Sequence, residues 1–232
     1  MKAYALLGGP KAEWPEDIVE IFKSAKNQHD LLVGVDRGSI LLQELGFIPD
    51  LAIGDFDSLK TQELAKVEHL VKDVRYSNPI KDYTDSEQML EVVFDEYRVS
   101  SLMILGATGG RMDHLLLNLM MLLNPKFKPY AEKVEFLDKQ NLIKYYASGK
   151  HFIPYQPYKY FGLGWFPEIK ELTIRGARYD IANYNCDYPK VFSSNEFLPR
   201  SEGFELSFSS SGLVCLILAR DIDRYYHIVN KN

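Results

Sequence analysis

An α/β amino-terminal part followed by an all-β carboxyl-terminal part is the fold class this sequence predicts, and three observations predict it. Short apolar runs of strand length alternate with stretches of helical period up to about residue 138. Most of these runs close on aspartate or glycine, as strands of a buried parallel sheet do where they hand over to loops. From about Ala147 the chain is dense in Tyr, Phe, Pro and Gly, shows short alternating runs and has no helical period.

In chain order, Tyr4 to Leu7 is the first strand, closed by Gly8-Gly9-Pro10. Trp14 to Ser24 is the first helix, with Ile18, Ile21 and Phe22 at helical spacing and Glu16 and Asp17 in its first turn. A second unit joins the run Leu31 to Val35 to a short helix from Gly38 to Leu45, stopped by Gly46. A third joins Leu51 to Ile53 to a helix from Leu59 to Leu70, and a stretch around Val74-Arg75-Tyr76 ends at Pro79. Thr84 with Glu87 three residues on is a capping box, and it opens an amphipathic helix with Met89, Leu90, Val93, Phe94 and Tyr97 on one face. Ser101 to Ala107 is the next strand; Thr108 to His114 connects it to a helix from Leu115 to Leu123, in which Asn118 reads as a satisfied core amide. Val134 to Asp138 closes this half. Leu172 to Ile174, Phe204 to Phe208 and Leu213 to Leu218 are strands of the second half, a sandwich or a barrel. The boundary falls between residues 147 and 148, with no low-complexity linker, so two closely packed domains are expected.

A chain of 232 residues with 46% hydrophobic content can bury a sizeable core. The net charge of -5 and the lack of any Lys/Arg block argue against nucleic acid or an anionic membrane as partner and suit a cationic small molecule. Cys186 and Cys215 make neither a disulfide framework nor a CxxC site and sit among apolar or aromatic neighbours, as buried thiols do in a reducing cytosol. Gly8-Gly9-Pro10 cuts the first apolar run too short for a secretory signal, and the Leu115 to Leu123 stretch is too short to span a bilayer. A soluble cytoplasmic protein is expected.

The chemistry concentrates where the strands end. Gly54-Asp55-Phe56-Asp57-Ser58 puts two carboxylates one residue apart directly after an apolar run, with no Cys or His nearby. Such all-oxygen donors suit a hard cation like Mg²⁺, which keeps coordination sites for water and phosphate. Asp36 closes the preceding run, while Lys81 and Asp82 lie on the loop before the capped helix, facing the same sheet edge. Asp85, in the first turn of that helix, is also explained by the helix dipole. Gly109-Gly110 lets the backbone approach an anion closely and Arg111 adds positive charge; the run lacks the Walker ending and the full dinucleotide fingerprint.

Taken together, Val35-Asp36-Arg37-Gly38, Gly54-Asp55-Phe56-Asp57-Ser58, Lys81-Asp82-Tyr83-Thr84-Asp85, Gly109-Gly110-Arg111-Met112-Asp113-His114 and Ser194-Asn195-Glu196-Phe197 resemble, in this order, the signature set of the thiamine pyrophosphokinases. The resemblance covers almost the whole chain. It implies a three-layer α/β domain with a mostly parallel sheet over residues 1–147, binding ATP and Mg²⁺, and a β-sandwich over 148–232, binding thiamine. It also implies a homodimer with substrate sites near the subunit interface, and a reaction in which ATP and thiamine give AMP and thiamine diphosphate. Within that frame Asp55, Asp57 and Asp82 fall to Mg²⁺, with Asp85 a further metal candidate. Lys81, Thr84, Gly109, Gly110 and Arg111 fall to the nucleotide. Asp36 or Asp113 orients or deprotonates the alcohol, and Ser194 and Asn195 contact thiamine. Tyr179 and Trp165 are the aromatic candidates for stacking on a ring, with core packing as the competing explanation for each. Arg37 departs from the family's pattern, in which a small residue, often glycine, is common.

Two other classes share some of these features. An aspartate pair of this spacing occurs in haloacid-dehalogenase phosphatases, but there the nucleophilic aspartate follows the first strand, whereas here two βα units precede it. A non-catalytic nucleotide or thiamine sensor would bind both ligands without turnover.

Overall fold

The computed structural model describes residues 1–77 and 83–220, and the chain divides into two compact units, the first Met1–Lys139 and the second starting at Gln140. The first is built on β1 (Ala3–Leu6), β2 (Leu31–Val35), β3 (Leu51–Gly54), β4 (Asp73–Tyr76), β5 (Leu102–Leu105) and β6 (Val134–Leu137). Its strands lie in the order β6-β5-β1-β2-β3-β4, and every adjacent pair is parallel. β2 and β3 are buried at every position, which is why they read as unbroken apolar runs rather than alternating ones. After β4 the chain returns to place β5 beside β1, so the order reverses between these two strands.

The helices are α1 (Ile18–Asn27), α2 (Gly38–Glu44), α3 (Thr61–Leu70), α4 (Asp85–Glu91) and α5 (Met112–Met120). α1 starts at Ile18 rather than Trp14: a 3₁₀ turn at Lys11–Glu13 precedes it, and the Trp14 indole is buried while donating to the Gly9 carbonyl at 3.1 Å. Ile18, Phe22 and Ala25 form the buried stripe of α1. α2 packs so closely that a Cβ on Gly38 would lie 1.8 Å from the Leu6 carbonyl oxygen, so only glycine fits there. α4 does not continue to Tyr97 as a regular helix: a π-helical turn spans Val92–Glu96, and it buries Val92 together with Val93 and Phe94. α5 begins at Met112, three residues before the expected start, which brings Asp113 and His114 into its first turn.

The second unit holds β7 (Asn141–Tyr146), β8 (Gly149–Pro154), β9 (Tyr160–Phe166), β10 (Ile169–Arg175), β11 (Ile181–Cys186), β12 (Lys190–Asn195), β13 (Gly203–Ser209) and β14 (Leu213–Ala219). Its strands form two antiparallel layers in the orders β12-β9-β14-β7 and β11-β10-β13-β8, a sandwich rather than a barrel. β7 precedes the composition change at Ala147 and pairs with β14. The inner faces meet in an aromatic core: Phe161 and Phe204 stack at 4.3 Å, and Trp165 is completely buried. Both cysteines are free thiols and buried.

Candidate active site

The ends of β2 and β3 are laced together by one aspartate. Val35 and Ile53 are register partners in the parallel ladder, and the Asp36 N–H extends the pairing by donating to the Ile53 carbonyl at 2.9 Å. Asp36 then turns with a left-handed φ of 47°, and its Oδ1 accepts the Phe56 N–H at 3.3 Å. Phe56 is left-handed as well, at φ 58°. Two non-glycine residues in that region cost roughly 1–3 kcal/mol each, so the surroundings must over-determine them. For Phe56 this is burial of its ring against Ala52, Val67 and Val71, with an edge-on contact to Tyr76. For Asp36 it is the two backbone bonds plus the absence of a side chain at Gly54, where a Cβ would lie 2.0 Å from Asp36 Oδ1. Asp55 and Asp57 flank the anchored phenylalanine; Asp55 is half-buried, its Oδ1 accepting the Asp57 N–H at 3.0 Å, and Asp57 is exposed.

The third carboxylate arrives from α4. The capping box is formed as expected, the Glu87 carboxylate accepting the Thr84 N–H at 2.9 Å and Thr84 Oγ1 accepting the Glu87 N–H at 3.4 Å. Because Thr84 and Glu87 complete the cap, the Asp85 side chain is not needed for it, and it hydrogen-bonds to Asp36 instead. Asp36, Asp55 and Asp85 thus offer carboxylate oxygens all within 4.8 Å of one another. Burial, then the hydrogen bond and repulsion from Asp85, with a smaller contribution from Asp55, push the Asp36 carboxyl up to about 7; the Phe56 N–H opposes them. Three crowded, partly buried carboxylates that hold a proton near neutrality are a donor set that a hard cation would relieve.

The glycine loop follows β5, next to β1, where the strand order reverses. Gly109 and Gly110 take φ of 75° and 67° and are exposed. The loop is tied at its base, where the Gly9 N–H donates to the Gly106 carbonyl at 2.9 Å and Asn118 Nδ2 to the Ala107 carbonyl at 3.0 Å, so Asn118 is the satisfied core amide the sequence indicated. Arg111 makes a bidentate pair with Asp113, and that hydrogen-bonded guanidinium holds the Asp113 carboxyl down to about 2. Lys81 and Asp82 lie outside the described residues.

In the second unit a cavity of about 400 Å³ opens beside β12, lined by Phe161, Leu163, Tyr179, Phe192, Ser194 and Asn195 among others. The β12–β9 register shifts between Phe192 and Asn195, and Ser194 within this bulge is left-handed at φ 62°. The Asn195 side chain is spent on backbone: Oδ1 accepts from Tyr179 N–H at 3.0 Å and Glu196 N–H at 2.8 Å, and Nδ2 donates to the Tyr179 carbonyl at 2.9 Å. Asn195 therefore holds Tyr179 at the cavity, where that ring is 55% exposed. Trp165 is closed off as a stacking surface, its indole N–H donating to the Tyr188 carbonyl inside the core. Phe192 is one of several lining residues that sequence reasoning passed over, although it stands two positions before Ser194 in a strand. A second cavity of about 410 Å³ lies on the other sheet, and its lining sets Lys150 and Arg175 against the single carboxylate of Glu205, a net positive charge that suits a cation poorly.

The family model for the thiamin pyrophosphokinase catalytic domain matches residues 22–134, and that for the thiamin pyrophosphokinase vitamin B1 binding domain matches residues 150–213. The thiamine pyrophosphokinase of Bacillus subtilis is 30% identical over 217 residues, covering 92% of this chain and 96% of its own length. The chain belongs to the thiamine pyrophosphokinase family. The crystal structure of a family protein from Enterococcus faecalis superposes with a TM-score of 0.86 at 31% identity, covering 96% of this chain and all of the other. That of the Bacillus subtilis protein gives 0.80 at 28% identity over 96% of this chain and 100% of its own. The catalytic-domain match contains the carboxylate trio and the glycine loop, and the vitamin B1 binding match contains Tyr179, Phe192, Ser194 and Asn195.

Proposed function

We propose that this chain is an ATP-dependent thiamine diphosphokinase: the hydroxyl oxygen of thiamine attacks the β-phosphorus of ATP, the bond from that phosphorus to the oxygen bridging to the α-phosphate breaks, and AMP leaves. The assignment is carried by one observation, that each matched span contains a site of the corresponding chemistry. Residues 1–147 supply the ATP and Mg²⁺ chemistry and residues 148–232 the thiamine site.

Asp55 and Asp85 fit Mg²⁺, being part of an all-oxygen set with Asp36 whose members already repel one another, and Asp57 and Asp82 join them directly or through water, while Asp36 is kept for the hydroxyl of thiamine. Bound there, Mg²⁺ supplies neutralisation of the polyphosphate charge. Gly109, Gly110, Arg111 and Lys81 hold phosphate oxygens, and Thr84 serves the site by capping the helix that carries Asp85. The hydroxyl proton is assigned to Asp36 rather than Asp113, which its salt bridge makes a weak base. On the thiamine side the π faces of Tyr179 and Phe192 attract a thiazolium cation, and Ser194 adds a hydroxyl. A homodimer is supported by the exposed apolar side chains of α5, Met112, Leu116, Leu117 and Met120, and a cytoplasmic setting by the two free thiols.

Product analysis tests the proposal. With protein, ATP, Mg²⁺ and thiamine, AMP and thiamine diphosphate are expected to rise together, and neither without thiamine. ADP with thiamine monophosphate would mean attack at the γ-phosphorus; phosphate release without an acceptor would mean a phosphatase; binding of both ligands without turnover would mean a sensor.

A further inference from the structure

Arg37 sits between the two loops that supply Asp36 and Asp55 to the carboxylate trio. It follows Asp36 directly, and its side chain reaches across the end of β2 to the loop after β3, where Nη1 lies 3.4 Å from the Ser58 carbonyl and 3.8 Å from the Glu63 carboxylate. Both distances are at the outer limit of useful contact. The side chain is 43% exposed, and an exposed pair of this length contributes about 0–1 kcal/mol, too little to explain the residue as a clamp. Among the described residues only Nη1 of this guanidinium has a partner, which leaves most of its five donors for something else.

The charge pattern indicates what that is. A polyphosphate held by a divalent cation against three carboxylates still carries excess negative charge on its outer oxygens. The Arg37 guanidinium is held at the Ser58 end of the loop that carries Asp55 and Asp57, and its planar donor fork matches a phosphate better than the single carbonyl it now touches. We infer that Arg37 is a further phosphate-contacting residue, which binds the nucleotide polyphosphate from the β2 side of the site. This rests on the assignment of the trio to the ATP and Mg²⁺ chemistry.

The test combines direct binding with kinetics. Titration with α,β-methylene-ATP, whose α–β bridge resists transfer, in saturating Mg²⁺ is expected to show Kd about tenfold weaker in Arg37→Ala, the loss expected for one charge-assisted hydrogen bond, and an intermediate value in Arg37→Lys. The KM for ATP follows in the same order. The KM for thiamine, the Mg²⁺ concentration for half-maximal turnover and the unfolding midpoint stay near wild type. An unchanged nucleotide Kd in Arg37→Ala overturns the inference. So does a matching rise in the Mg²⁺ requirement or a lowered unfolding midpoint, since either is the signature of a loop clamp. If the wild-type protein binds the analogue but turns nothing over, the functional assignment fails while the Kd comparison still decides the role of Arg37.

Discussion

The carboxylate trio and the aromatic cavity differ in how their polar groups are satisfied. At the trio, Asp36, Asp55 and Asp85 face one another, two backbone positions are left-handed, and a proton is retained where free carboxylates would have lost it. At the cavity, the Asn195 amide has both ends bonded to backbone, and the exposed surface is left to rings and a serine hydroxyl. The cation proposed for the first region would relieve the repulsion among its carboxylates. The second is preformed and waits for shape and π contact. A site for a highly charged group has to hold its own charges in tension, whereas a site for an organic cation gains by saturating its polar atoms and presenting aromatic faces.

The sharpest way to break this contrast is at the β3 loop. Asp55→Asn and Asp57→Asn are each expected to lower kcat/KM by a factor on the order of 10² or more at limiting Mg²⁺, with circular dichroism and unfolding cooperativity retained. A folded variant with near-wild-type turnover under that condition has no metal role to lose.

A smaller effect is expected at the cavity. Tyr179→Ala should weaken thiamine binding roughly tenfold in calorimetry, the loss of one aromatic face over a cation, while ATP affinity moves by less than about twofold. Asn195→Ala should act in the same direction, because Tyr179 loses its tether. An equal fall in ATP affinity would show that Asn195 supports the fold at large rather than the cavity.

The trio also sets a pH signature. Asp36 is raised from 3.8 to about 7 in the folded protein, so between these values the folded state keeps a proton that the unfolded state has released. Without divalent cations, stability is therefore expected to fall as pH rises through this window and to level off above it. Asp36→Asn should flatten the slope, and stabilisation by saturating Mg²⁺ should grow with pH over the same range as proton competition fades. Thermal melts with chelator and with Mg²⁺ measure both; a flat profile in the wild-type protein contradicts the crowded trio.

The smallest effect is expected at the other cavity. Arg175→Ala should leave the thiamine Kd within about twofold of wild type, since Lys150 and Arg175 outweigh Glu205 in that lining and leave it net positive. A loss as large as that of Tyr179→Ala would transfer the thiamine site to the Lys150 and Arg175 face.

Legibility of these regions followed the range of the interactions involved. The Thr84 cap, the buried runs of β2 and β3 and the glycine turn after β5 are local, and they were read as they stand in the structure. The π turn after α4 was not, because Met89, Leu90, Val93, Phe94 and Tyr97 keep an ordinary helical period, and the widened turn buries Val92 as well. β7 was passed over because its Asn141–Tyr146 segment does not alternate cleanly, with Leu142 and Ile143 both buried.

From the sequence alone came the α/β and all-β halves, the carboxylates and glycines at strand ends, and the family resemblance, since periodicity, turn chemistry and motif order are all written along the chain. Only the tertiary structure decided that the second half is a sandwich rather than a barrel, that Asp85 leaves the helix cap to meet Asp36, that Trp165 is core while Tyr179 lines the cavity, and that Asn195 holds Tyr179. Each of these depends on which segments, far apart in sequence, come within a few ångströms, and a carboxylate's pKa or an amide's partner is set by those neighbours rather than by the residues beside it in the chain.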